Sequence, residues 1–286
     1  PTTSEITGSI GSIIGAGDQN KVRLSNYSGI FAGQDNLVTG STFSVVVGGT
    51  TNKISGSSQA VIVGGITNLI RLSEFGFIGG GETNTITGST NGSIVAGDSN
   101  IVIDTTSGFI GGGSVNKISG ATSSTLAGGS SNVILDANSG AIAGGRKNVI
   151  TGPTSDFSFV GGGNTNLVQN TQQGVIVGGE VNLLRISSGS TIVGGQRGFI
   201  SASTYSFIGT GQDNIIDNLN KYNPKSLILD SVQTVYDPET QGNPGSINQI
   251  LNSIKKLIFH CKKLNILFLM SGHVTKTGDV AGHKIL

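Results

Sequence analysis

The residues that could hold a metal ion are few and lie near the C-terminal end of the chain. His260 and Cys261 are adjacent, and His273 and His283 follow at longer spacings. Structural zinc sites take ligands in pairs that are separated by roughly two to four residues. Adjacent side chains point in different directions and no close pair recurs, so the sequence predicts no metal site.

Acidic residues and glycine-rich runs suggest two kinds of catalytic chemistry. Polysaccharide-cleaving β-helix enzymes use clustered carboxylates, but the candidates here form no predicted column: Glu82, Asp104, Asp136 and Glu180. The three glycines at residues 79–81 are not followed by the Gly-Lys-Ser/Thr that completes a phosphate-binding loop. We therefore expect no catalytic residue and no enzyme activity.

Two ligand-binding repeats are also disfavoured. A calcium-binding repeat needs aspartate at regular positions, and Asp18, Asp98 and Asp213 are sporadic. An ice-binding face needs threonine in one repeated outward column, and threonine keeps to no such column. We expect no cofactor of any kind.

The composition excludes several classes of protein. Glycine contributes 47 of 286 residues, charged residues 12%, aromatic residues 5%, and tryptophan is absent. This profile is unlike that of an ordinary globular enzyme. The net charge of +1 gives no electrostatic footprint for nucleic acid, and the single cysteine allows no intrachain disulfide. No apolar run reaches the roughly 18 residues of a membrane helix, so we expect no membrane insertion.

Asparagine recurs every sixteen residues, with one shift of two residues near Pro153. A fixed period of this kind is typical of repeat architectures. Together with Gly198, which replaces asparagine in one unit, the positions mark thirteen repeats. They are Asn20, Asn36, Asn52, Asn68, Asn84, Asn100, Asn116, Asn132, Asn148, Asn166, Asn182 and Asn214.

Each repeat has glycine three residues before this position and aliphatic residues six before and two after it. In one unit these are Val46, Gly49, Asn52 and Ile54. The pattern gives two short segments of period two separated by glycine-rich corners, which predicts β-strands. A unit of sixteen residues is too short for a helix-containing repeat and cannot bury its apolar face alone. We therefore predict an all-β fold, a parallel β-solenoid with one coil per repeat and a length of roughly 60 Å.

Residues two apart share a face of a strand, which assigns side chains to the inside and the outside. The two aliphatic columns lie inside with a column of small residues, represented by Ser28 and Ala60. The repeated glycine is expected to take a positive φ. The asparagines are expected to stack as a structural ladder, each amide bonding to the next coil or to the corner backbone.

The outward positions of the first strand in each coil are also apolar and show balanced volumes. Phe77 is followed two residues later by Gly79, whereas Val61 is followed by Val63. A continuous apolar outer face indicates burial against a partner, and the simplest partner is a second copy around a symmetry axis. We predict a homotrimer with a seam formed by Val45, Val47, Val61, Val63, Phe77, Phe109, Phe159, Val175, Val177 and Phe207.

The repeat resembles the YadA-like head repeat of trimeric autotransporter adhesins, and related repeats occur in viral and phage fibre shafts. The pattern Ser-x-Ile-x-Gly-Gly-x-x-Asn-x-Ile-x-Gly is clearest at residues 44–56 and 107–120, and the resemblance extends over roughly residues 4–217. It implies a left-handed parallel β-roll, three of which pack with their apolar strands towards a three-fold axis.

The period ends after Asp217, so we predict a solenoid over residues 1–217 and a small α+β domain over residues 218–286. Residues 227–235 read as a strand, and Ser246 as the N-cap of a helix. The apolar face of that helix is predicted to contain Ile247, Ile250, Leu251, Ile254, Ile258 and Cys261. Capping of the solenoid end and trimer registration, or receptor binding at a tip, are the roles considered for this domain.

These features predict a non-enzymatic fibre or adhesin shaft that presents a terminal domain for surface attachment. The alternative is a viral or phage capsid or fibre protein whose C-terminal domain binds a host receptor or docks to the virion. The expected location is extracellular, at a cell or virion surface. A polysaccharide-active enzyme is the less favoured third interpretation.

Overall fold

The computed structural model describes residues 3–202, 204–209, 215–216, 219–220, 224–229, 232, 235, 237, 239–241 and 246–271. Short strands make up most of this part of the chain. They are β1 (Glu5–Thr7), β2 (Ile13–Ile14), β3 (Lys21–Arg23), β4 (Gly29–Ile30), β5 (Leu37–Thr39), β6 (Val45–Val46), β7 (Lys53–Ser55), β8 (Val61–Ile62), β9 (Leu69–Arg71), β10 (Phe77–Ile78), β11 (Thr85–Thr87), β12 (Asn91–Ile94), β13 (Ile101–Ile103), β14 (Ser107–Ile110), β15 (Lys117–Ser119), β16 (Ser123–Leu126), β17 (Val133–Leu135), β18 (Ala141–Ile142), β19 (Val149–Thr151), β20 (Phe159–Val160), β21 (Leu167–Gln169), β22 (Val175–Ile176), β23 (Leu183–Arg185), β24 (Thr191–Ile192), β25 (Phe199–Ser201), β26 (Ser206–Ile208), β27 (Ser226–Leu229) and β28 (Leu267–Met270). The helix α1 (Ile247–Lys263) lies between the last two strands.

Two parallel sheets run along the repeat region. Sheet A contains the odd-numbered strands from β1 to β25, and sheet B contains the even-numbered strands from β2 to β26 followed by β27 and β28. Residues sixteen apart are partners in both sheets, as Ile54 is with Ile70 in sheet A and Val46 is with Ile62 in sheet B. The prediction of a parallel β-solenoid of about thirteen coils is therefore confirmed.

The core consists of two aliphatic columns, one from each sheet. Val22, Val38 and Ile54 begin the column of sheet A, and Ile30 and Val46 begin that of sheet B, all fully buried. The columns pack together as one continuous cluster that ends at Ile208. Each such side chain contributes roughly 1.5–3 kcal/mol by leaving water, and this contribution exists only because coils stack.

The corners of each coil need backbone conformations that most residues avoid. The glycine three residues before each asparagine has φ between 84° and 108° at every described position, as predicted. The residue directly before the asparagine is also left-handed, with φ of 54–59°, although it is Thr, Ser, Val, Gln, Asp, Lys or Arg in different coils. The backbone N–H of this residue donates a hydrogen bond to a carbonyl of the preceding coil. The Thr51 N–H, for example, donates to the Gln34 carbonyl at 2.9 Å. This bond offsets a conformational penalty of roughly 1–2 kcal/mol.

The shift in the period is a local bulge at one corner. Pro153 and Thr154 are exposed there, while Ser155 stays buried and donates its hydroxyl to the Thr151 carbonyl at 2.6 Å. Sheet pairing continues across the bulge, because β19 pairs with β21 in the ordinary order. The bulge therefore changes the surface and leaves the core unbroken.

The described strands of the C-terminal unit, which spans residues 224–271, continue sheet B. β26 pairs with β27, and β27 pairs with β28, all in parallel. The helix α1 connects β27 to β28, and its buried side chains join Phe207 of the last coil in a second cluster. The edge of sheet B at this end of the solenoid is thus covered by an added β-strand.

Two details of this unit differ from the predictions. The strand is Ser226–Leu229, shorter than the predicted residues 227–235. Ile254 and Cys261 of the predicted face of α1 are buried as expected, but Ile247 is exposed. Gln249, Ser253 and Leu257, which were not predicted, are buried as well. The face is rotated because Gln249 is drawn into a buried hydrogen-bond network, which periodicity in apolar residues does not reveal. No helix in the described ranges is both long and apolar enough to cross a membrane.

Candidate functional site

The asparagines form a buried ladder along one edge of the solenoid. All eleven described members, from Asn20 to Asn182, are at most 1% exposed. The Asn52 Oδ1 accepts the backbone N–H of Asn68 at 3.0 Å, and its Nδ2 donates to the Gly65 carbonyl at 2.9 Å. Nδ2 also donates to the Gly48 carbonyl at 3.1 Å within the same coil. Each amide therefore joins two coils and holds its own corner.

At Gly198, the last described position of the ladder, the backbone hydrogen bond is kept although the side-chain amide is absent. This residue has no side-chain amide, but its backbone N–H still donates to the Asn182 Oδ1 at 2.8 Å. The last predicted member, Asn214, lies outside the described residues. The groups in the ladder are neutral and their hydrogen-bonding capacity is used within the protein, so the ladder offers no free group for catalysis.

The repeated glycine packs against this ladder. A Cβ placed on Gly65 would overlap the carbonyl oxygen of Gly81 in the next coil and would lie 2.6 Å from the Asn68 Nδ2. By contrast, a Cβ on the neighbouring Gly64 would meet nothing within 4 Å. Glycine at the first of these positions is therefore required by close approach as well as by its positive φ.

A second ladder, made of hydroxyl side chains, was missed by the sequence reasoning. The hydroxyl oxygen of Ser41 accepts the backbone N–H of Ser57 at 3.2 Å, and Ser57 does the same for Ser73. Hydroxyl residues at this spacing from Ser25 to Thr105 were the available signal. Two alanines, Ala121 and Ala137, interrupt the column and conceal it.

The predicted seam residues line the outer face of sheet B. Val45, Val61 and Val175 are partly buried. Val47 and Val63 are each 42% exposed, and Val177 is 49% exposed. The rings of Phe77, Phe109 and Phe159 are 38–40% exposed. These nine residues thus form an apolar stripe that is open in the single chain.

Phe207 differs from the other predicted seam residues. It is only 7% exposed, because it packs with Leu227 and Leu257 of the C-terminal unit. The open stripe therefore ends one coil before the end of the solenoid.

The pairing of phenylalanine with glycine has a cause within the chain. A Cβ on Gly79 would overlap the carbonyl oxygen of Val95 in the next coil, and it would lie 3.5 Å from the ring of Phe77. At Gly161 the ring of Phe159 would be 3.3 Å away. The ring lies over the glycine, so part of the volume balance is local to each coil.

The C-terminal unit holds a buried ion pair. The Lys256 Nζ lies 2.7 Å from a carboxylate oxygen of Asp237, whose side chain is fully buried, and 2.8 Å from Glu239. Burial alone would raise the pKa of Asp237, but hydrogen bonds from Lys256, Thr240 and the Glu239 N–H outweigh it and hold that pKa below its ordinary value. Hydrogen bonds to the carboxylates of Asp237 and Glu239 raise the pKa of Lys256 to about 12.

Other polar groups of this unit are poorly suited to catalysis. Burial raises the pKa of the Cys261 thiol to about 11, so it is protonated and unreactive at neutral pH. Three buried atoms have no hydrogen-bond partner among the described residues: Ser246 Oγ, Ser253 Oγ and His260 Nδ1. His273 and His283 lie outside the described residues. No group of three His, Cys, Asp or Glu side chains that could hold a metal occurs in the described part of the chain.

The acidic residues are more ordered than the sequence reasoning held. Glu82 and Asp98 are partners on neighbouring coils, and Glu180 occupies the same column farther along, where Gln196 donates to it at 2.9 Å. Asp104 and Asp136 share another column with a coil between them. The four residues therefore form no single column, as predicted, but Glu82 and Glu180 share one that the two-residue shift hides in the sequence, with Ser, Arg and Asn on the coils between them.

Comparison with known proteins gives partial matches. The chain is 40% identical over 79 residues to the DNA repair protein RadA of Rickettsia conorii, which covers 27% of this chain and 18% of that protein. It is 34% identical over 74 residues to RadA of Aquifex aeolicus, covering 26% and 17%. It is 32% identical over 77 residues to RadA of Chlamydia trachomatis, covering 27% and 17%. The chain thus spans less than a fifth of the length of these relatives, and no protein-family model matches it.

Proposed function

We propose that this protein is a non-enzymatic fibre or adhesin shaft that assembles as a homotrimer and acts at a cell or virion surface. The observation that carries the proposal is the apolar stripe on the outer face of sheet B. The stripe recurs on several coils between Val45 and Val177, and an exposed apolar patch of this kind marks an interaction surface. Burial against two further copies removes it from water.

The interior supports a mechanical role for the shaft. The asparagine and hydroxyl ladders link each coil to the next by side-chain hydrogen bonds, in addition to the backbone bonds of both sheets. Satisfied buried networks of this kind rigidify a structure. A stiff spacer places whatever it presents at a fixed distance from the surface that carries it.

The resemblance to YadA-like head repeats supports the trimer in particular. In that arrangement the strand that corresponds to sheet B faces the three-fold axis. The outward positions of sheet A in this chain include Lys53, Arg71 and Arg185, which are exposed and compatible with water. Charged residues thus occur on the outer face of sheet A, which also holds apolar residues such as Leu69 and Phe199, whereas the stripe on the outer face of sheet B holds none.

The decisive experiment places charge in the seam. The double variant Val61→Asp and Val63→Asp is expected to dissociate the trimer, since two carboxylates per chain would meet their copies near the axis. Light scattering at matched concentration gives the mass. The control is Thr39→Asp with Ser55→Asp, which adds the same charge to outward positions of sheet A and should leave the mass unchanged. A monomeric parent chain, or a trimer that survives the seam variant, would contradict the proposal.

A viral or phage fibre with a receptor-binding or virion-docking C-terminal unit is the alternative within the same class. It shares the trimer and differs in what the terminal unit contacts. Removing residues 218–286 would abolish attachment to host cells in this case. It would leave attachment intact if the shaft itself makes the contact.

The RadA similarity favours a second candidate function, namely contact with DNA. The relatives are named as DNA repair proteins, and α1 carries the exposed Lys255, Lys262 and Lys263. Fluorescence anisotropy with single-stranded DNA tests it at two salt concentrations, because phosphate contacts weaken steeply with salt. Salt-sensitive binding that is lost in Lys262→Ala with Lys263→Ala would favour this function over attachment.

A further inference from the structure

Glycine recurs at a position where the chain itself does not require it. The position lies directly before the repeated positive-φ glycine, as Gly64 does before Gly65, and it holds only Gly or Ala from Ala16 to Gly194. A Cβ on seven of these glycines, Gly64 and Gly80 among them, would meet nothing within 4 Å, and their φ is not positive. Where the residue is alanine, as at Ala32, it is exposed. The position therefore faces out of the coil, and we call this column the glycine edge.

Aromatic side chains project from the other edge of sheet B. They stand two residues before the first outward position of the strand, as Phe75 does before Phe77, and five occur on the described coils. Their exposed fractions are 42–63%. The rings of Tyr27 and Phe43 are stacked with centroids 5.2 Å apart and planes 10° apart, close to the coil spacing of about 4.8 Å. We call this column the aromatic edge, and its aromatic members are Tyr27, Phe43, Phe75, Phe157 and Tyr205.

The surface between the two edges carries no charge. On the described coils the aromatic edge, the two outward positions of sheet B and the glycine edge hold no Asp, Glu, Lys or Arg. Charged residues begin just outside this surface, at Glu74 and Asp156 beside the aromatic edge and at Glu82 and Arg146 beyond the glycine edge. The apolar stripe of sheet B is therefore continuous with both edges.

We infer that the aromatic edge of one copy packs onto the glycine edge of the next copy around the three-fold axis. Rotation about an axis parallel to the shaft leaves each coil at the same height, and in a closed ring one edge of a copy meets the opposite edge of its neighbour. Phe75 and Gly80 lie on one coil, and Phe157 and Gly162 lie on another. A ring from one copy fills the space that the absent side chain leaves on the other, as close packing of an interface requires.

This inference rests on the proposed trimer and assigns the contact that would hold it together. It also gives a reason for the glycine edge, because a larger side chain there would have to share its space with a ring of the neighbouring copy. Alanine, as at Ala32 and Ala96, is the largest residue that the edge holds in the described coils.

The test is cross-linking of the double variant Phe75→Cys and Gly80→Cys with a short bis-maleimide, read on a denaturing gel. Covalent dimers and trimers are expected, because each copy contributes a different thiol to each contact. The matched control is Phe75→Cys with Gly144→Cys, which moves the second thiol four coils, roughly 19 Å, along the glycine edge. This control should give single chains only. The parent chain serves as the blank, since Cys261 is buried.

A second set of variants tests the fit by volume. Gly80→Leu with Gly162→Leu should raise the concentration at which the trimer dissociates by about tenfold or more, because the added side chains occupy the space of the rings. The circular dichroism of the strands should be unchanged, since a Cβ at either glycine meets nothing in its own chain. Adding Phe75→Ala and Phe157→Ala should bring the dissociation concentration back towards that of the parent. Gly80→Ala with Gly162→Ala is the mild control and should assemble like the parent.

Three results would overturn the inference. They are a trimer in which the Phe75 and Gly80 thiols link no better than the control pair, leucine variants that assemble like the parent, and Phe75→Cys alone linking as well as the pair. The last result would place two aromatic edges against each other around a two-fold axis. Light scattering on the parent reports the assembly separately. A monomeric parent contradicts the proposed function as well, whereas a trimer without the Phe75 to Gly80 link contradicts this inference alone.

Discussion

The shaft and the C-terminal unit bury polar groups in different ways. In the described part of the shaft the buried polar side chains are Asn, Ser and Thr, and they bond to equivalent groups one coil away. The C-terminal unit instead buries the carboxylate of Asp237 against Lys256, and Ser253 Oγ has no hydrogen-bond partner among the residues that the structure describes. The first arrangement repeats, and the second occurs once.

The two arrangements predict different responses to substitution and to pH. A repeated interaction has the same neighbours in most coils, so substitutions at equivalent positions should have equal effects along the shaft. A single ion pair has no equivalent and ties the stability of its unit to pH. Three experiments test whether the two regions respond in these different ways.

The largest effect is expected for Gly65→Ala. The new methyl group would overlap the Gly81 carbonyl, and alanine would have to adopt a φ of 89°. We expect a loss of about 3 kcal/mol or more in the free energy of unfolding, measured in urea. Gly64→Ala is the control beside it, and it should change stability by less than about 1 kcal/mol. Equal losses for both variants would show that the coil corner is not packed as described.

A smaller loss is expected for Asn84→Ala. The substitution removes the acceptor for the Asn100 N–H and the donor to the Gly97 carbonyl, and both groups stay buried. We expect a loss of about 2–3 kcal/mol, and the same value for Asn52→Ala. The exposed Asn91 is the control, since Asn91→Ala should be within about 0.5 kcal/mol of the parent. Unequal losses at Asn52 and Asn84 would contradict an equivalent ladder.

The smallest effect concerns acid and is confined to the C-terminal unit. Because the folded pKa of Asp237 is lowered, its contribution is complete above the unfolded value of about 3.9 and is lost as pH falls through the folded pKa. Helical circular dichroism reports on this unit, since α1 is the one long helix in the described residues. We expect the helix signal to fall in acid while the strand signal persists. Lys256→Met should destabilise the unit at neutral pH and make its remaining stability less dependent on acid, because burial then raises the pKa of the unpaired Asp237. Loss of the helix and strand signals at the same pH would contradict the prediction that acid acts on the C-terminal unit alone.

Much of the shaft could be predicted from sequence because each feature recurs. The columns that contain Val46, Gly49 and Asn52 follow from spacing alone. The left-handed φ of Thr51 could not be predicted, because threonine has no intrinsic preference for it and the bond to Gln34 in the preceding coil imposes it.

The C-terminal unit was harder to predict because its contacts are individual. Ser246 marked the start of α1 correctly, yet the helix turns its Gln249 side inward to bond with Asp237. Periodicity in apolar residues carries no signal for a buried amide. The burial of Phe207 was missed for a related reason, since it depends on a strand that comes nearly twenty residues later, Ser226–Leu229.

The pairing of β26 with β27 bears on how load would pass through the molecule. In a stack of parallel coils the hydrogen bonds point along the long axis, so tension between the two ends acts on every rung in series. The rung at Gly198 has one side-chain amide fewer than those before it. Under a pulling force we therefore expect the coils beside the C-terminal unit to separate first. The hydrogen bonds between the remaining coils should stay intact.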